Sequence, residues 1–78
     1  MGHYSNISPA LYRKFLKSIG LSFSHINSGH EVWKKEGMLR PVVFQTHIDP
    51  VPEFIVLNNL TTAGVTKKDI DMFLKRRK

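Results

Sequence analysis

The chain contains no cysteine, which removes disulfides and thiolate zinc sites from consideration. That absence fits a reducing cytosol, and a cytoplasmic location is the expectation. No apolar run approaches the ~20 residues that a bilayer-spanning helix needs, so no membrane association is expected. The start, Met1–Tyr4, has no apolar signal-peptide core. Met1-Gly2-His3 has the look of an expression scar, and His3 is given no role. Acidic residues are scarce as well: 6 Asp and Glu against 12 Lys and Arg, for a net charge of +6. The few carboxylates are scattered along the chain, which offers nothing for a two-metal site. Neither a metal nor a cofactor is expected.

What remains is enough for one small domain, residues 1–78, with residues 1–7 and 75–78 expected to be flexible. Hydrophobic residues make up 41% of the chain, which argues for a folded core rather than disorder. A core of this size leaves little stability in reserve, so a stable partner would matter. The positive charge is uneven. Residues 1–40 carry six basic and two acidic groups, residues 41–66 two acidic groups alone, and residues 67–78 six basic and two acidic groups. Such a surface is either plain solvated charge or an electrostatic footprint for nucleic acid, where each phosphate contact adds salt-dependent affinity.

Ser8-Pro9 predicts a helix start, because serine caps free amides and proline at the first position loses no hydrogen bond. Leu11, Phe15, Leu16 and Ile19 form its apolar stripe, and Arg13, Lys14 and Lys17 fall mainly off it. Gly20 is a terminator. Leu21–Ile26 alternates as a strand, Asn27-Ser28-Gly29 signals a turn, and Glu31–Lys35 reads as a second strand. After a turn at Glu36-Gly37, a third strand fits Leu39–Thr46, with Pro41 at an open edge or at the start of the regular part. Asp49-Pro50-Val51-Pro52 breaks the pattern. A helix fits Glu53–Ala63, ended by Gly64, and Thr66-Lys67-Lys68-Asp69 resembles a capping box opening a last helix with Ile70, Phe73 and Leu74 buried.

The expected fold is therefore α+β: an α-β-β-β-α two-layer sandwich with a three-stranded antiparallel meander, helices on one face and a short extra C-terminal helix. Double-stranded RNA-binding domains use the same plan. A reversal at Glu36–Met38 puts His30 opposite Phe44 and Lys34 opposite Arg40, with His47 just beyond, near Asn27. It also sets Val32, Val42 and Phe44 on one side of the sheet and Trp33, Val43 and Leu39 on the other, without saying which side the helices cover.

Gly29-His30 is the most informative step. Glycine allows a tight turn and a close approach of another molecule. A histidine directly after it is presented at the mouth of a strand and can give or take a proton near neutral pH. His47 is a second, weaker candidate for proton transfer, with a loop residue capping the next helix as its plainer reading. His25 reads as a strand-surface or packing residue, and Trp33 as core. Lys34 opposite Arg40 is unfavourable unless the pair is solvated or given an anion.

Four features in order resemble the HicA-type mRNA interferase toxins. They are the amphipathic helix ending in Gly20; Ser28-Gly29-His30 followed by Glu31-Val32-Trp33; a strand ending near His47 before a proline-containing loop; and Leu60-Thr61-Thr62-Ala63-Gly64-Val65-Thr66 before a short helix. The family often reads Gly-Ser-His where this chain reads Ser-Gly-His. The resemblance implies the toxin of a type II toxin–antitoxin pair: a metal-independent endoribonuclease cleaving mRNA, neutralised by a HicB-like antitoxin. It implies acid–base chemistry at His30, with His47 in support. Gly29, Lys34, Lys35, Arg40, Lys14 and Lys17 are the expected RNA contacts. Two other readings stand beside it: a non-catalytic RNA-binding module of the double-stranded RNA-binding type, and a partner-binding protein without nuclease activity.

Overall fold

A computed structural model describes residues 4–76, and helix α1 runs from Pro9 to Ser18. The Ser8 side chain accepts a hydrogen bond from the Leu11 amide at 3.1 Å, and Pro9 takes the first helical position. Gly20 (φ 95°) ends it in a Schellman arrangement: the Leu21 amide reaches the Leu16 carbonyl and the Gly20 amide the Lys17 carbonyl. Helix α2 (Glu53–Ala63) ends the same way at Gly64. Helix α3 (Lys67–Arg76) opens with half of a capping box, the Asp69 carboxylate accepting from the Thr66 amide at 2.8 Å.

Three strands lie between the first two helices: β1 (Ser22–Asn27), β2 (His30–Lys34) and β3 (Val42–Gln45). They form one antiparallel sheet in the order β1-β2-β3. The fold is thus α+β with an open three-stranded sheet, an N-terminal helix and two C-terminal helices. Pro41 directly precedes β3, where its missing amide costs the ladder nothing.

The observed register corrects the expected one. His30 pairs with Gln45, not Phe44, and the ladder continues Glu31–Phe44, Val32–Val43 and Trp33–Val42. Lys34 therefore does not face Arg40, which lies in the loop after β2. A slip of one residue exchanges the faces of a strand. Trp33, Val42 and Phe44 share the side that the helices cover, joining Tyr12, Phe15 and Leu16 of α1 with Val56 and Leu60 of α2 in the core. Val32 is shielded too, but it lies outside that cluster, on the opposite face. Leu39, expected within a strand, is wholly exposed in the loop.

The chain start departs from expectation as well. Tyr4 and Ile7 are core residues, the Tyr4 hydroxyl reaches Asp71 of α3 at 2.8 Å, and the Val51 amide bonds the Ile7 carbonyl. Lys75 and Arg76 belong to α3, while residues 1–3, including His3, and residues 77–78 lie outside the described residues.

Strand β1 is the bare edge. All six of its residues are exposed, and a bulge at Ser24 interrupts its pairing. The other edge, β3, is partly covered, because Asn59 of α2 donates to the Val43 carbonyl at 3.1 Å.

Candidate active site on the open sheet face

The β1–β2 connection has two residues, Ser28 (φ 53°) and Gly29 (φ 79°), both in the left-handed region. Positive φ at both central positions marks a type I′ turn, whose twist matches that of the flanking strands. Glycine adopts this conformation freely, whereas serine does so at a cost of about 1 kcal/mol. The turn delivers His30 at the first residue of β2, half-buried. The His30 Nδ1 lies 3.2 Å from the Ser28 carbonyl oxygen. A carbonyl can only accept, so Nδ1 carries the hydrogen and the neutral ring leaves its Nε2 lone pair free.

The register then assembles the open face. Asn27, His30 and Gln45 form one row across the three strands, and His25, Val32 and Val43 the next. The Thr46 amide donates to the Gly29 carbonyl at 3.0 Å, which draws the segment after β3 against the turn. His47 follows immediately and is exposed. Gly29, His30 and His47 thus gather at one end of the sheet.

The expected basic contacts do not gather there. Lys34 is four residues along β2 from His30, about 13 Å at strand spacing. It lies with Lys35, Met38 and Arg40 around a depression at the far end of the sheet. Lys35 donates to the Ile19 carbonyl at 3.3 Å, a contact that suits the negative end of α1. Lys14 and Lys17 are exposed on α1, which runs from Arg13 beside Glu31 to Ile19 beside Lys35. Lys34 and Arg40 thus lie at the far end of the sheet from His30, while Lys14 and Lys17 belong to the helix layer on the other side of the sheet and do not border the open face.

A buried polar cluster backs the site from the helix side. Glu31 is 3% exposed. Its carboxylate accepts from Arg13 Nε at 2.9 Å, from Thr46 Oγ1 at 2.6 Å and from Trp33 Nε1 at 3.0 Å. Arg13 also reaches Thr46 Oγ1 at 3.2 Å. Burial alone would raise the Glu31 carboxyl, but the Arg13, Thr46 and Trp33 hydrogen bonds and the Arg13 charge outweigh it and hold it down at about 2. This cluster locks α1 to β2 and to the end of β3 beside His30. Its signal in the sequence was a lone acid between His30 and Val32-Trp33, matched by an arginine on the flank of the α1 stripe.

Among the described residues, no group of three or more His, Cys, Asp or Glu side chains is placed to hold a metal ion. No described helix is long and apolar enough to cross a membrane. Compared with protein-family models, with curated proteins and with solved structures, the chain has no match in any of the three.

Proposed function

We propose that the chain is a HicA-type toxin, a metal-independent endoribonuclease that cuts mRNA through the neighbouring 2′-hydroxyl. The observation that carries the reading is the type I′ turn that holds His30 on the open sheet face, with Nδ1 tied to Ser28 and Nε2 free. Transesterification of RNA needs a base for the 2′-hydroxyl proton. A positioned imidazole contributes roughly 10²–10⁴-fold to such a step. Lys34 and Arg40, exposed at the far end of the sheet, suit phosphates further along the strand. Asn27 and Gln45 flank His30 in its row and offer hydrogen bonds to a base edge.

In this reading the partner is an acidic antitoxin of HicB type that covers the cationic surface, and the compartment is the cytoplasm, where mRNA is met. A small neighbouring reading frame coding for such a chain would support it.

The test is expression in bacteria of the natural chain and of His30→Ala. Growth arrest by the natural chain alone is expected, with both proteins melting at similar temperatures. Equal arrest by the two forms would contradict the reading.

The exposed Lys67 and Lys68 at the start of α3 favour the second reading, an RNA-binding module without catalysis. Against it, α2 starts at Glu53 and contains no lysine or arginine. Pure protein incubated with single-stranded RNA separates the two, because a binder leaves the strand whole.

A further inference from the structure

A histidine other than His47 shares the open face with His30. His25 pairs with Val32, and Asn27 pairs with His30, so His25 and His30 are diagonal neighbours on one side of the β1–β2 hairpin. Diagonal neighbours sit about 7–8 Å apart at Cα, within reach of long and aromatic side chains. That spacing leaves room for a phosphate between the rings. The bulge at Ser24 makes the arrangement compatible with the core. It lets Phe23 turn to the helix side, its ring edge-on to Trp33 at 5.8 Å, while His25 two residues later faces the open side.

The two imidazoles have different partners at Nδ1. His30 Nδ1 meets a carbonyl, so its neutral ring presents a bare Nε2. His25 Nδ1 lies 2.8 Å from the Ser24 hydroxyl, whose oxygen can accept from the Nδ1–H of a protonated ring and so leaves the second proton, on Nε2, for a leaving group. A carbonyl partner fits a neutral ring acting as base, and a hydroxyl, which accepts as well as donates, fits a protonated ring acting as acid. Both side chains reach solvent: His25 is exposed and His30 half-buried.

We infer that His25 and His30 form the acid–base pair of an RNA-cleaving site, with His30 the base and His25 the acid. The inference rests on the ribonuclease reading above and adds a second catalytic residue to it. His30 Nε2 takes the proton of the 2′-hydroxyl as its oxygen attacks phosphorus. The new bond is 2′-oxygen to phosphorus, and the bond that breaks is phosphorus to the 5′-oxygen of the next nucleotide. His25, entering the step as the imidazolium, gives that oxygen the proton on its Nε2 and becomes neutral. The products are a 2′,3′-cyclic phosphate and a free 5′-hydroxyl, and the phosphate keeps its single negative charge throughout. Proton exchange with water then resets the two rings, with no other reactant.

The test uses an RNA oligonucleotide and the same oligonucleotide with sulphur in place of the bridging 5′-oxygen, a leaving group that needs no proton. On ordinary RNA, His25→Ala is expected to lose roughly 10²–10⁴-fold in cleavage rate. On the sulphur-bridged strand it is expected to cleave close to the natural chain's rate. His30→Ala is expected to fail on both. His25→Ala cutting ordinary RNA at full rate would overturn the inference. So would an equal loss on both substrates, which would make His25 a binding or structural residue; a melting curve of the variant separates those two causes. If the natural chain leaves both strands whole, the ribonuclease reading itself fails and the pair falls with it. If the natural chain and His30→Ala behave as expected while His25→Ala is unimpaired, the reading survives and only the pair is lost.

Discussion

Glu31 is a carboxylate in a position that the alternating pattern assigns to the core, and it stays charged there because three donors surround it. Its folded value of about 2 lies below its ordinary 4.5, so the folded state holds a proton less readily than the unfolded chain. The stabilisation is then complete above about pH 5 and is lost as pH falls towards 2, a contribution on the order of 3 kcal/mol at neutral pH. Denaturant titrations across pH 7 to 2 should show this acid limb in the natural chain and a flatter one in Glu31→Gln. Equal slopes would contradict it. Removal of Arg13 should cost more than an ordinary surface change, because it leaves a buried charge without its cation. Arg13→Met is expected to lower stability by about 2–3 kcal/mol, moderated by the water that reaches the arginine side of the pair.

At the scale of elements, the turn 28–29 sets the geometry of the site. Ser28 holds a left-handed conformation that glycine or asparagine adopts more cheaply. Ser28→Gly should therefore raise stability by about 0.5–1 kcal/mol, a few degrees in melting temperature for a domain of this length, and should leave the Gly29-His30 presentation intact. A lower melting temperature would mean that the Ser28 side chain contributes more than its backbone costs.

The helices were readable in the sequence because their ends are chemically marked. Ser8-Pro9, Gly20 and Gly64 each do in the structure what their residue types suggest, and α2 has the bounds expected of it. The β1–β2 turn was equally plain. The β2–β3 register was not, since the residues from Lys35 to Pro41 make a long connection with no two-residue turn to pin the pairing. One residue of slip moved Trp33 to the helix side beside Val42 and took Lys34 away from Arg40. The bulge at Ser24 had no signal in the residue pattern, and the placement of His25 beside His30 depended on pairing that only coordinates supply. Likewise, Tyr4 and Ile7 look like ordinary apolar residues of a chain end until α3 and the loop at Val51 are in place around them.

At the scale of the whole molecule, a net charge of +6 surrounds a site whose own row, Asn27, His30 and Gln45, is uncharged. In the proposed function, Lys34 and Arg40 at the far end of the sheet serve affinity, and the proton chemistry belongs to the His30 end. RNA binding should weaken as salt rises, with a slope near −0.7 for each phosphate contacted on a single strand. Neutralising Lys34 and Arg40 together should shallow that slope and raise KM with kcat nearly unchanged. A fall in kcat with KM unaltered would place those side chains in the chemistry instead.

The most direct measurement is the identity of the ends left on a defined RNA strand by the pure protein in the presence of a chelator. A 2′,3′-cyclic phosphate and a 5′-hydroxyl, with a strand of the same sequence lacking 2′-hydroxyls left whole, is the predicted result. Intact RNA, or fragments ending in a 3′-hydroxyl and a 5′-phosphate, would contradict a site built on His30.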